Sequence, residues 1–222
     1  WKFDEDMKTG KMTQEDCEFA ESCMSRSIGH CMTMGTASTM AVMVESLGLT
    51  LSGASAIPAA DSRKKVMAQL SGRRIVQMVK ENLTIDKILT REAFENAMIT
   101  NAAVGGSSNF IIHLTAIAGR IGVDLKLEDF DTLGSKIPLL LNLMPSGKYL
   151  MEDFYYAGGL PVILNELKDK LHKNVITVTG KNHTENIKGN TDCYNEEVIA
   201  KYNSPIQTEA GCVVVKGNLA LN

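Results

Sequence analysis

Along this chain, apolar stretches with a three- and four-residue period alternate with short glycine-rich breaks. That alternation limits it to helices that pack through one face and join by tight turns. In "GTASTMAVMVESLGL" at 35–49, Met40, Met43, Val44 and Leu47 fall on one helical face. Thr36 or Ser38 stands where a cap belongs, and Gly48 marks the stop. A longer helix is expected from Ser62 to Glu81, with Met67, Leu70, Met78 and Val79 turned inward. "TREAFENAMITNAA" at 90–103 opens on Thr90 as a cap, and "VGGSSNFIIHLTAIAGRIG" at 104–122 is a glycine turn feeding a strongly apolar helix. "MEDFYYAGG" followed by "LPVILNELKDKL" reads as helix, glycine break, helix. Residues 1–26 are polar, with breaks at Gly10 and Thr13, and suit a short helix or two. Three segments look extended: "KIPLLLNLM" at 136–144, "NVITVTG" at 174–180 and "GCVVVKGNL" at 211–219. The expected class is therefore α/β and helix-rich.

Composition removes several function classes. The net charge of −3 and 5% aromatic content give neither the basic footprint nor the stacking surfaces of a nucleic-acid binder. Apolar runs such as 136–144 are far too short to span a membrane. No signal peptide is visible, and Trp1 in place of Met implies that something preceded this chain. The five cysteines, Cys17, Cys23, Cys31, Cys193 and Cys212, are odd in number and irregularly spaced. They read as reduced thiols of a cytoplasmic protein, or an organellar one in a eukaryote, and not as a disulfide framework.

Two phosphate-binding patterns fail on inspection. "MPSGKY" has Asn142 where a P-loop needs its first glycine and Tyr149 where it needs a hydroxyl for magnesium. "VGGSSN" lacks dinucleotide spacing. Cys17, Cys23 and Cys31 are too far apart for the close pairs of a structural zinc site. Two glycine turns that open onto helices remain. "GGSSN" at 105–109 places Ser107, Ser108 and Asn109 at a helix N-terminus, where free N–H groups and the dipole suit a carboxylate; a plain cap is the simpler reading. Cys31, in the sulfur-rich stretch "SCMSRSIGHCMTMGTASTM", precedes another helix N-terminus, a setting that favours thiolate; from pattern alone an inert buried cysteine is the commoner reading. His30, His113, His172 and His183 are scattered. His113 suits a satisfied core histidine, and Met40 and Met43 suit core positions.

Five segments in fixed order carry a resemblance: the 22–79 stretch through "GHCMTMGTASTM" and "SGASAIPAADS", "AFENAMITNAAVGGSSNFIIHL", "MPSGKYLMEDFYYAGGLPVIL", "VTGK" with "EN", and "EAGCVVVKGNLALN". Together they cover nearly the whole chain, which resembles the dihydroxy-acid and phosphogluconate dehydratase family. "CMTMGTASTM" and "PSGKYLMEDFYYAGGLP" look most like its sugar-acid (aldonate) branch, since Met32, Thr33, Gly35 and Ser38 replace the glycine-rich version of the branched-chain amino-acid enzymes.

The resemblance implies a hydro-lyase that converts a 2,3-dihydroxy acid into a 2-keto-3-deoxy acid. It implies an iron–sulfur cluster as Lewis acid for the leaving hydroxyl, and Mg2+ on the carboxylate and 2-hydroxyl. It assigns Cys31, in Gly29-His30-Cys31, as one cluster ligand. Ser107, Ser108 and Asn109 match a substrate-lining turn written with Thr where Ser108 stands. Cys23 matches no ligand position and is expected to be structural, and Cys212 is expected to be buried. Residues 1–222 correspond to the second half of the N-terminal α/β/α domain, without the two other cluster cysteines, the magnesium ligands or the C-terminal β-barrel-like domain with its serine base. No catalytic base is therefore expected in this chain, which should not turn over substrate alone. The partners implied are a small hydroxy-acid substrate and further copies in a homo-oligomer. Dihydroxy-acid dehydratase of branched-chain amino-acid synthesis is the enzyme alternative; a non-catalytic remnant or scaffold piece is the alternative of another class.

Overall fold

The computed structural model describes residues 2–24, 27–209, 211–215 and 217. Among them are eleven helices: α1 (Lys2–Lys8), α2 (Gln14–Cys23), α3 (Thr36–Ser46), α4 (Ser62–Lys80), α5 (Ile85–Ile88), α6 (Arg91–Val104), α7 (Asn109–Arg120), α8 (Leu127–Gly134), α9 (Met151–Tyr156), α10 (Leu160–Glu166) and α11 (His183–Ile187). None is long and apolar enough to cross a membrane.

α6 is the axis of the fold, with α3, α7, α8 and α10 packed around it. Its sequence explains this: Ala93, Ala97, Ala102 and Ala103 let neighbours approach closely, and Phe94 fills the space between them. One side meets Met43 and Leu47 of α3, Phe110 and Leu114 of α7, and Phe130 of α8. The Phe110 and Phe130 rings meet edge to face at 5.5 Å. The other side, through Ile99, Ala103 and Val104, meets the buried 137–143 segment, Phe154 of α9 and α10. Thr90 caps α6 as expected, by accepting from the Ala93 N–H, and Gly105 ends it in the left-handed conformation. Asn96 is buried inside α6 and pairs with the His172 backbone in both directions: it donates to the carbonyl at 3.1 Å and accepts the N–H at 2.7 Å.

Several expectations need correction. The 136–144 segment is extended and buried, but its partners touch it at isolated bridges, Leu139 to Gln207, Leu141 to Ile199 and Leu143 to Tyr149. Each partner turns away after one pair, so no ladder builds among the described residues. In 174–180 the Thr177 N–H and hydroxyl both bond the Lys181 carbonyl, which folds the segment back after a single bridge, Ile176 to Asn182. Residues 211–215 form no strand, and 216 and 218–222 lie outside the described residues. The helix expected over 160–171 stops at Glu166. α4 has the expected limits but buries no residue: Met67, Arg74 and Met78 are half-buried, while Leu70 and Val79 are exposed. The short helices α5, α8 and α11 were not anticipated.

Candidate functional site

Three turns meet near the N-terminal ends of α3 and α7. The first carries Cys31. Gly29, at φ +116°, adopts backbone that side chains disfavour, and a Cβ there would lie 2.8 Å from the Ala59 Cβ. His30 Nδ1 lies 2.8 Å from the Cys31 carbonyl oxygen. The fully buried Ser38 hydroxyl donates to the Thr33 carbonyl at 2.6 Å. Neither Thr36 nor Ser38 caps α3; the N-cap is Gly35, and Ser38 instead ties the preceding turn down from inside the helix. The Cys31 thiol is exposed, with Sγ 3.4 Å from Thr33 Oγ1. Beside it the bare α carbon of Gly35 leaves space: a Cβ there would sit 3.8 Å from the sulfur.

The second turn is 105–109. The Gly106 N–H donates to the Asn101 carbonyl, and a Cβ on Gly106 would collide with Asn101 Oδ1 at 2.0 Å. That Oδ1 is buried and has no hydrogen-bond partner among the described residues. The Ser107 N–H donates to Thr39 Oγ1 at 3.0 Å. Asn109 Nδ2 donates to Thr36 Oγ1 at 2.6 Å and to Ser107 Oγ at 3.0 Å. The N–H groups of Phe110 and Ile111 turn back to the Ser107 and Ser108 carbonyls. Most donors expected to be free for an anion are thus taken. Ser108 is exposed, and neither its N–H nor its hydroxyl has a partner among the described residues. The three expected residues divide: Ser107 and Asn109 join the turn to α3, and Ser108 presents its polar groups to solvent.

The third turn, 144–149, follows a cis Met144–Pro145 bond and was not anticipated at the site. The Met34 N–H donates to the Met144 carbonyl and the Met151 N–H to the Met32 carbonyl, both at 2.7 Å. "PSG" is a turn signal by itself, but its neighbours are too distant in sequence to be read. Its Gly147 and Lys148 N–H groups are bound to the Leu143 carbonyl and Asn142 Oδ1, so it offers no phosphate cradle.

The remaining candidates sit elsewhere. His113 is exposed on α7, not in the core: its face of the helix turns away from α3 and α6. His183 is buried, with Nε2 2.8 Å from the Ser46 carbonyl; burial pulls its pKa below the usual value, so the neutral ring donates there. Met43 is core and Met40 half-buried. Cys23 is exposed and Cys212 half-buried, so neither is enclosed.

One exposed thiol with a glycine beside it fits as a single donor to an iron–sulfur cluster. Magnesium finds no such fit: none of the three turns carries an acidic residue, and no three His, Cys, Asp or Glu gather as a metal group among the described residues.

Comparison with known proteins gives the context of this geometry. Residues 1–186 match the family described as dihydroxy-acid/6-phosphogluconate dehydratase N-terminal. L-arabinonate dehydratase of Rhizobium leguminosarum bv. trifolii is 56% identical over 222 residues, 99% of this chain and 38% of the relative. L-arabonate dehydratase of Azospirillum brasilense is 49% identical over 223 residues, again 99% of this chain and 38% of the relative. Dihydroxy-acid dehydratase of Thermodesulfovibrio yellowstonii is 42% identical over 213 residues, 96% of this chain and 38% of the relative. The chain thus spans well under half the length of the curated relatives it matches.

Proposed function

The chain belongs to the dihydroxy-acid/6-phosphogluconate dehydratase family, and from that premise we propose that it is part of a hydro-lyase that dehydrates a sugar acid (aldonate) to a 2-keto-3-deoxy acid. Two arabinonate-type relatives at 56% and 49% identity, against 42% for a dihydroxy-acid dehydratase, favour the sugar-acid substrate. The observation that carries the site assignment is the meeting of an exposed Cys31 with the Ser108 turn at the ends of α3 and α7.

In this reading residues 1–222 form the second half of the N-terminal α/β/α domain of a cytoplasmic homo-oligomer. An iron–sulfur cluster, when bound, supplies the Lewis acid that a poor leaving group such as hydroxide requires. Cys31 holds it from this chain, and the positive end of α3 stabilises negative charge on the sulfur. Gly35 gives the cluster room. Ser108 offers its hydroxyl and N–H to the substrate carboxylate, while Ser107 and Asn109 fix the turn at the correct distance from Cys31. Among the described residues the three turns present no carboxylate for magnesium.

The test is Cys31→Ser in the complete protein. Iron content and aldonate turnover should fall together, while Cys23→Ser retains both. Full iron content in Cys31→Ser would sink the ligand assignment. Turnover of a branched dihydroxy acid in preference to any aldonate would favour the branched-chain amino-acid reading, and no turnover of either would favour a remnant.

A further inference from the structure

We propose that Glu45 is a positioning residue for Cys31, acting through the 53–59 loop. Its consequence for iron rests on the reading of Cys31 as a cluster ligand; the mechanical link does not.

Glu45 lies in α3 and is 2% exposed. A carboxylate so enclosed is costly unless its oxygens are satisfied. Here both are: one accepts the Gly53 N–H, and the other accepts the Ser55 N–H at 2.8 Å. Between them, Lys64 of α4 donates to the Ala54 carbonyl at 3.3 Å. The loop is therefore held at three consecutive residues, by an acid on one helix and a base on another. Beyond Ser55, Ala56 and Ile57 are buried, and Ala59 abuts the bare α carbon of Gly29. The loop and the arm 29–32 enclose a small cavity of about 80 Å³.

On the helix side of the sulfur the Cys31 turn is tied by the Ser38 bond at Thr33 and by the backbone bonds of Met32 to Met151 and of Met34 to Met144. The other arm has glycine at 29, with no side chain to hold it. Apart from Ser38 Oγ, 3.5 Å from His30 Nδ1, that arm rests on the surface of the clamped loop. Only a carboxylate suits the clamp. It offers acceptors to both N–H groups, whereas a Gln amide would turn its NH2 toward one of them, donor against donor.

The experiment uses the complete protein prepared free of iron, with peptide-resolved alkylation by iodoacetamide. Glu45→Gln should change the Cys31 rate by roughly threefold or more, since thiol reactivity follows access and local setting. Cys23, exposed on α2 away from the loop, is the internal control and should not change. After iron loading, the same variant should show reduced visible cluster absorbance per protein. An unchanged Cys31 rate in a folded Glu45→Gln protein overturns the proposal. If that variant does not fold, hydrogen exchange on the unmodified protein decides. The Gly53 and Ser55 amides should be protected like those within α3, and exchange at free-loop rates overturns the clamp. Iron retention by Cys31→Ser would instead overturn the ligand reading and leave the alkylation result standing.

Discussion

Asn109 donates through Nδ2 to Thr36 Oγ1 at 2.6 Å, across 73 residues of sequence. This contact joins the first turn of α7 to the first turn of α3. Asn109→Ala and Thr36→Val should each destabilise the protein by about 1 kcal/mol, the usual net worth of such a bond. Together they should cost little more than either alone. Denaturant titration of the four proteins measures this, and fully additive losses would mean that the two side chains act independently.

Gly106 and Gly119 should respond to alanine with opposite signs. A Cβ at Gly106 meets Asn101 Oδ1 at 2.0 Å and Thr39 Cγ2 at 2.9 Å, on both sides of a packed turn. Gly106→Ala should cost on the order of 1–3 kcal/mol and disturb Ser107 and Ser108. Gly119 is inside α7 with nothing near its Cβ position. Gly119→Ala should stabilise by about 0.5–1 kcal/mol through helix propensity alone. Thermal unfolding of both variants checks the signs.

His183 and Glu45 should give stability opposite dependences on acid. Burial holds the His183 pKa below its ordinary 6.5, so the unfolded chain takes up that proton first. Its contribution is present above pH 6.5 and is lost as pH falls toward the depressed folded value. Burial raises the Glu45 pKa, so there the folded chain protonates first, and its contribution grows as pH falls through the raised value. Urea midpoints at about pH 7.5 and about pH 5.5 should differ less in His183→Gln than in the parent. An unaltered pH slope in His183→Gln would contradict the assignment.

The 222-residue chain should associate through α4. Val66, Leu70, Ile75, Val76 and Val79 are all exposed on it, at 43–76%. Beside them lies an apolar groove of about 460 Å³, lined by Leu51, Ile75, Met78 and Ile88. Of these, Ile75 and Val79 are one turn apart on the same side, and exposed apolar surface beside an apolar groove marks an association site. Light scattering should show self-association that Ile75→Glu with Val79→Glu reduces, and a clean parent monomer would refute this.

The sequence by itself determined the longer helices α3, α4, α6 and α7 and several of their ends. Hydroxyl and glycine positions act through local backbone bonds, so Thr13, Thr90, Gly105 and the Gly158-Gly159 break were legible without a fold. It also determined the family, because long motifs in fixed order survive as text, and it singled out Cys31 and Ser107–Asn109 as residues at helix entrances. Only the tertiary structure decided what surrounds such residues. Ser38 lies in the first turn of α3 yet bonds backward to Thr33, since a buried hydroxyl takes whichever acceptor packing brings near. His113 has apolar sequence neighbours but faces outward with Ile112, because the helix turns Phe110, Leu114 and Ala118 inward instead. The 144–149 turn and the Glu45 clamp were invisible in the sequence, for their partners are distant in the chain or are backbone N–H groups that every residue carries. The extended segments failed as strands for the same reason: alternation marks a pleated surface, but a ladder needs a second segment that stays alongside.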